Sequence, residues 1–266
     1  MNESLNALIL GVVQGLTEFL PVSSSGHLEI GKALLNTNLE ADESMLMTVV
    51  LHAATALSTV VVFWKSISEI LRGVLEFKRN EHTEFVAKIV VSMIPAAIVG
   101  VVCKDQIESL FSGNLLLVGA MLIVTGVLLL LAGRLKNTTQ QVGFFEAIVV
   151  GISQAIAILP GISRSGATIS TSVLLEVDRT RAARFSFLMV VPLIMGKIAK
   201  DILDGEFATN DVSISALTIG FVAAFATGLF ACKWMIALVR NCQMWWFSIY
   251  CFVVGAIAMG SVWLTS

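Results

Sequence analysis

The chain has 266 residues, 56% hydrophobic and 14% charged, with a formal net charge of −2. Soluble domains run at about 45–50% apolar and about 25% charged residues. That balance excludes a soluble globular domain, and apolar runs recurring to the C-terminus make this an integral membrane protein.

The runs are long and interrupted, which favours helices over the alternating strands of a β-barrel. The N-terminus lacks a basic segment and does not read as a cleaved signal peptide. Cys103, Cys232, Cys242 and Cys251 show no paired spacing and no nearby His. They read as small buried residues. Nothing points to nucleic acid as a partner.

The first apolar run, 5–20, would be about 24 Å long as a helix at ~1.5 Å per residue. The hydrocarbon core is ~30 Å thick. The run carries Glu18 and stops at Pro21, so it reads as a half-helix ending inside the membrane. Ser23 or Ser24 can cap a second short helix through Gly31 to Leu35. Glu40, Asp42 and Glu43 then lie in water. The result is a re-entrant hairpin, tolerated in lipid only where protein or a wet cavity covers the broken backbone.

Spans follow at about 45–64, 85–102 and 115–132. Pro95 should kink the second. The link 65–84 is the most polar part of the chain and reads as an exposed helix or loop. The second half repeats the plan. A half-helix over 144–159 breaks at Pro160-Gly161, and a short helix runs from Ser163 to Leu175. Spans follow at about 182–199, 214–239 and 245–264.

The two hairpins share a pattern. Gly11, Gln14, Ser23, Ser25 and Gly26 recur 140 positions later as Gly151, Gln154, Ser163, Ser165 and Gly166. Pro21 and Pro160 sit one place out of register. Internal symmetry of this kind is the mark of repeat membrane folds. Each half has an odd number of spans, so the second must be inverted. The expected architecture is an all-α integral membrane protein with an inverted-topology repeat, six transmembrane helices and two re-entrant helical hairpins, its halves being 1–136 and 137–266.

Charge placement gives the orientation. With the 65–88 link in the cytoplasm, the same side receives Arg134, Lys136, Arg179, Arg181, Arg184, Lys233 and Arg240. The other side receives few cations, Lys32, Lys104, Lys197 and Lys200, and collects acids, among them Asp105, Glu108, Asp201, Asp204, Glu206 and Asp211. That is the positive-inside pattern, with both termini outward.

Polar groups at bilayer depth mark function by default. Gln14 and Glu18 are four apart and share a helix face. Glu18 lies at the negative end of its half-helix and needs a nearby cation, an Arg or a divalent metal. Ser23, Ser24 and Ser25 open the next helix, where free N–H groups make an anion site. One of them can attack rather than cap if His27 reaches it as base. In the second hairpin Ser163, Ser165 and Thr168 are hydroxyl donors, and the planar fork of Arg164 suits phosphate oxygens. At this depth Arg164 needs a counter-anion, either Glu18 or a substrate. These groups suggest phosphoryl chemistry on a lipid. The chain has no HExxH, which disfavours a metalloprotease. His52 reads as packing within a span and His82 as solvated. The rival is an inverted-repeat transporter or lipid flippase. The Ser-x-x-His spacing beside an Arg favours chemistry.

At these residues the chain resembles the bacterial undecaprenyl-diphosphate phosphatase family, also known for conferring bacitracin resistance. The family pattern is (E/Q)xxxE, then PxSSxGH, and later PGxSRSxxT. This sequence has Gln14-Gly-Leu-Thr-Glu18, Pro21-Val-Ser-Ser-Ser-Gly-His27 and Pro160-Gly-Ile-Ser-Arg-Ser-Gly-Ala-Thr168. The run 184–192 also looks like the family. The resemblance implies hydrolysis of the terminal phosphate of undecaprenyl diphosphate at the outer face of the cytoplasmic membrane. That recycles the lipid carrier for peptidoglycan. It implies a divalent cation, Mg²⁺ or Ca²⁺, membrane lipids as surroundings, and room for a homodimer. Glu18, Ser24, His27, Ser163 and Arg164 should be the functional set, with Gln14, Ser23, Ser25, Ser165 and Thr168 around the substrate. Gln14 takes the amide alternative, leaving Glu18 as the carboxylate for a metal. The expected mechanism has Arg164 and the helix N-termini holding the diphosphate, Ser24 attacking and His27 taking its proton. Glu18 orients His27, Arg164 or a metal. The nucleophile is left open among Ser24, Ser25 and His27.

Overall fold

In lipid every backbone polar group must be bonded within its own segment, and apolar runs of Leu, Val, Ile and Ala meet that demand as helices. The computed structural model describes residues 3–35, 41–110, 114–136, 138–203, 213–241 and 243–265. Glu40, Asp204, Glu206, Asp211 and Cys242 lie outside them, as do the side chains of Asp42, Glu43, Asp105, Glu108 and Asp201. The acids of the outward side are therefore legible only in the sequence.

The first hairpin is α1 (Glu3–Phe19) and α2 (Ser24–Leu35). Next come α3 (Ala41–Val62), α4 (Trp64–Leu75), α5 (Glu81–Val102), α6 (Lys104–Leu110) and α7 (Leu115–Arg134). The second hairpin is α8 (Phe144–Ile156) and α9 (Arg164–Leu174). The chain ends in α10 (Arg179–Leu203), α11 (Ile214–Arg240) and α12 (Met244–Thr265). Among the described residues the only extended pairing is an isolated bridge from Gln140 to Val177.

Among the described residues four helices are long and apolar enough to cross a membrane: α5, α7, α11 and α12. The pair α3 and α4, bent by 77° at Phe63, passes the same test of length and composition only when the two are counted together. The polar link expected over 65–84 thus holds a helix that turns sharply away from the span before it. α10 has 25 residues but carries Arg179, Arg181 and Arg184 in its first two turns. By length and composition the count is therefore four to five, against the six expected. α5 stays helical across Pro95.

Glycines set how the half-helices pack. Gly11 of α1 faces the Gly220 carbonyl of α11, and Gly15 faces Ala224 and Gly228 one turn on. The two helices therefore run parallel. Gly151, the counterpart of Gly11, meets the backbone of Ser92 in α5. Near the start of α8, Lys88 lies 5.5 Å from the centre of the Phe144 ring, so α8 runs parallel to α5. α7 and α12 are antiparallel, with Gly119 on Gly255 and Gly126 on Ser248.

One end of the bundle gathers the cations. Buried Arg179 donates to the carbonyls of Leu135 (2.6 Å) and Ala132 (3.3 Å), closing the open C-terminus of α7. Its Nη1 lies 3.9 Å from Met244 Sδ at the start of α12. Arg181 donates to the Thr139 carbonyl at 3.0 Å, and Arg184 sits 5.7 Å from the Phe85 ring centre. So α11 ends where α5 and α8 begin. α1, parallel to α11, runs toward that end, and α8 runs away from it. The two half-helices enter from opposite ends.

A side chain at Gly151 has no room, because the atoms it meets are backbone. Gly151→Val should destabilise the protein by about 1–3 kcal/mol, the usual cost of overpacking. Gly100→Val on α5, where a Cβ meets nothing within 4 Å, should leave the detergent melting midpoint unchanged. Equal midpoints for the two variants would show that α5 and α8 do not touch at Gly151.

Candidate active site

Each hairpin turns through one left-handed residue. In the first it is Ser23, at φ 70°, directly before α2. In the second it is Gly161, at φ 96°, directly after Pro160. Glycine takes such a φ freely, whereas Ser23 bears about 1–2 kcal/mol. Beyond the turn the copies converge. Ser23 Oγ accepts from the Gly26 amide at 3.2 Å, and Ser163 Oγ from the Gly166 amide at 3.0 Å. Ser25 and Ser165 lie 3.3 and 3.2 Å from those caps.

The two breaks touch. Ser165 Oγ donates to the Leu20 carbonyl at 3.2 Å. A Cβ on Gly166 would lie 3.3 Å from Pro21, and one on Gly26 would lie 3.3 Å from Gly161. Thr125 of α7 pins the second break, accepting from the Ser163 amide at 3.1 Å and donating to the Gly161 carbonyl at 3.3 Å. The N-termini of α2 and α9, each a partial positive charge, are thereby held together.

Glu18 is the centre, at 8% exposure. Its Oε1 accepts from Arg164 Nη2 at 2.6 Å. Its Oε2 accepts from Ser24 Oγ at 2.8 Å and from Gln14 Nε2 at 3.0 Å. Arg164 Nη1 donates to the Ser186 carbonyl at 3.3 Å. The acid, the amide and the hydroxyl come from the first hairpin and the guanidinium from the second. Ile158 stands where Glu18 would repeat, and Arg164 itself stands where Ser24 would. The copies are alike in backbone and complementary in chemistry.

The expected contact from His27 to Ser24 is not formed. His27 Nδ1 bonds the Ser23 carbonyl one turn back at 2.8 Å, which swings the ring toward α12. There Nε2 meets the hydroxyl of Tyr250, the sole tyrosine, at 2.8 Å with the rings stacked. Nor do all the expected hydroxyls face a ligand. Ser23 and Ser163 serve as caps, Ser165 bonds Leu20, and Thr168 bonds the Arg164 carbonyl (2.8 Å) and Ser186 (2.6 Å). Ser24 and Ser25, each half-buried, remain accessible.

His52, expected to be packing, is in the site. Its Nε2 lies 3.8 Å from Glu18 Oε2. The sequence does hold a signal for it: Thr48, His52, Thr55 and Thr59 form a polar stripe at helical spacing on α3. Arg179, Ser186 and Tyr250 carry no comparable signal. His82 packs on Gly73 in α4.

A divalent cation held by the protein alone fits poorly here. Both oxygens of Glu18 are engaged by Arg164, Ser24 and Gln14. Among the described residues, no three His, Cys, Asp or Glu side chains gather as a metal site. Gln14 Oε1 is buried with no hydrogen-bond partner, but one neutral amide oxygen is a weak ligand for a hard divalent cation.

Two helix N-termini and a buried Arg–Glu pair, brought together where two broken helices meet, make a polar site of the anion-binding kind inside a helical membrane protein. Residues 7–257 match the family model described as bacitracin resistance protein BacA. The chain belongs to that family. It is 60% identical over 254 residues to an undecaprenyl-diphosphatase of Christiangramia forsetii, covering 96% of each chain. It is 45% identical to the corresponding protein of Bacteroides fragilis, over 97% of each. An undecaprenyl-diphosphatase of Methanosphaera stadtmanae is 36% identical, over 97% of this chain and 98% of its own.

Proposed function

We propose that Glu18, Ser24, His27 and Arg164 are the catalytic groups with which this membrane hydrolase converts undecaprenyl diphosphate to undecaprenyl phosphate and inorganic phosphate. The observation that carries the assignment is the Glu18 carboxylate, shared between Arg164 and Ser24 at the junction of two helix N-termini.

In the structure Glu18 is the counter-ion of Arg164. An arriving diphosphate competes for the guanidinium, whose fork matches two phosphate oxygens. The amides opening α2 and α9 add fixed donors for the charge that develops on the phosphoryl group. Gln14 is the neighbour of Glu18, and the hydroxyls of Ser23, Ser25, Ser163, Ser165 and Thr168 keep the two helix starts in place around the substrate. Ser24 Oγ attacks the terminal phosphorus, and the bridging P–O bond breaks toward the lipid phosphate. Water then displaces the phosphoryl group from Ser24. His27, at the half-buried rim, takes that water's proton.

Mg²⁺ or Ca²⁺ fits this scheme as the counter-ion of the substrate's diphosphate rather than as a resident of Glu18, since a hard cation is readily carried on phosphate oxygens. The halves 1–136 and 137–266 form an inverted repeat. The opposed entry of α1 and α8, and the matched packing of Gly11 and Gly151, support it. The cation-rich end faces the cytoplasm of a bacterial inner membrane, and the site opens to the outer side. None of these groups requires a second copy of the chain, so a homodimer would not alter the scheme.

Purified protein given undecaprenyl diphosphate should release inorganic phosphate. Release should fall with chelator and return with added Mg²⁺ or Ca²⁺. A folded protein that releases none, or that only moves the lipid between leaflets, would overturn the hydrolytic reading. Release untouched by chelator would remove the cation alone.

A further inference from the structure

Two imidazoles flank the site, and both are fixed in the same way. His27 Nδ1 meets the Ser23 carbonyl at 2.8 Å, and His52 Nδ1 meets the Thr48 carbonyl at 2.7 Å. A carbonyl only accepts, so each neutral ring carries its hydrogen on Nδ1 and its lone pair on Nε2. The lone pairs differ in what they face. His27 Nε2 accepts from Tyr250 on α12. His52 Nε2 faces Glu18 Oε2 at 3.8 Å, and that oxygen holds the Ser24 hydroxyl at 2.8 Å.

We propose that His52 is the base that receives the Ser24 proton, across the Glu18 oxygen that lies between them. This rests on the hydrolytic reading of the site. Serine needs a base to attack. Glu18 Oε2 already holds the Ser24 hydroxyl and can hand its proton on, and His27 is turned to Tyr250. His52 comes from a third element, α3, and approaches on the side of Glu18 away from Arg164's oxygen. A separation of 3.8 Å is longer than a hydrogen bond, but such contacts shorten in the loaded complex. Arrival of the diphosphate draws Arg164 from Glu18 and frees the carboxylate to shift toward His52. The His52 side chain is 28% exposed, which gives water and small solutes access to it.

The steps balance. The Ser24 O–H bond breaks, and its proton passes by way of Glu18 Oε2 to His52 Nε2. The Oγ–P bond forms as the bridging P–O bond breaks, and the leaving lipid phosphate keeps the electron pair. In the second step water bonds to phosphorus and gives its proton to His27. The Oγ–P bond breaks, and Ser24 Oγ takes back the proton from His52. Inorganic phosphate leaves, and His27 returns its proton to water.

The test uses the full chain in detergent with undecaprenyl diphosphate. His52→Ala and His52→Gln should lower kcat by about 10²–10⁴-fold, the usual worth of a general base. KM should stay nearly constant, because the diphosphate is held by Arg164. Added imidazole should restore His52→Ala in proportion to its concentration and leave Ser24→Ala untouched. Near-normal kcat in both variants overturns the proposal. So does a loss that imidazole fails to restore in protein that melts like wild type, since His52 would then only hold Glu18 in place. Wild type without phosphate release would instead sink the hydrolytic reading itself.

Discussion

Arg164→Ala is expected to lower kcat by about 10²–10³-fold, the loss that follows removal of one preorganised donor to a charged transition state. It should also unsettle the fold. Glu18 is nearly buried and keeps Ser24 and Gln14 as neutral partners, but loses the guanidinium that sits 2.6 Å from its Oε1. Breaking a buried pair from one side costs about 3–5 kcal/mol, most of it from the stranded charge. The two effects separate by a second substitution. Arg164→Gln combined with Glu18→Gln removes both charges and should recover most of the melting midpoint while restoring no phosphate release. Arg164→Lys keeps the charge but loses the fork, and should lie between wild type and Ala. Full turnover in Arg164→Ala would end the phosphate-clamp assignment. A double variant no more stable than the single would show that the pair is not the reason Arg164 matters to the fold.

Much of this arrangement is legible in the chain. A run too short to span, ending in a charge and a proline, can only be a half-helix, and α1 and α8 stop within a few residues of Pro21 and Pro160. The echo at 140 positions identifies the glycines that let α1 and α8 lie against α11 and α5. An Arg and a Glu at bilayer depth must find each other, and Arg164 and Glu18 do.

What escaped the sequence depends on rotation and handedness. The stripe of Thr48, His52, Thr55 and Thr59 marks one face of α3, but spacing alone does not say that this face meets α1. His27 is 223 positions from Tyr250, and its ring direction follows from a bond to its own helix rather than from spacing. Which serines are consumed as caps depends on where the left-handed turn falls, at Ser23 in one copy and Gly161 in the other. The acid side and the base side of the site lie on separate elements, and only their packing says which imidazole meets which hydroxyl.

Ser24→Ala carries the largest expected loss. If Ser24 forms the covalent bond to phosphorus, its removal should cost about 10⁴–10⁶-fold in kcat, the scale seen when a nucleophile is deleted. If it only positions a water, the loss should be nearer 10²–10³-fold, that of a missing hydrogen-bond donor. Binding should survive either way, because Arg164 and the amides of α2 and α9 are untouched. Stability should change little. The half-buried hydroxyl gives up one bond to a carboxylate, about 1.5–3 kcal/mol at most, while Glu18 keeps Arg164 and Gln14. Rapid quenching with substrate labelled in its terminal phosphate distinguishes the two roles. Wild type should carry label on Ser24 before free phosphate appears, and Ser24→Ala should carry none. Label found instead on Ser25 or His27 would move the nucleophile one helical turn or less and leave the clamp intact. Prompt phosphate release with no labelled protein at any time would make the displacement a single attack by water, with Ser24 and His52 aligning it.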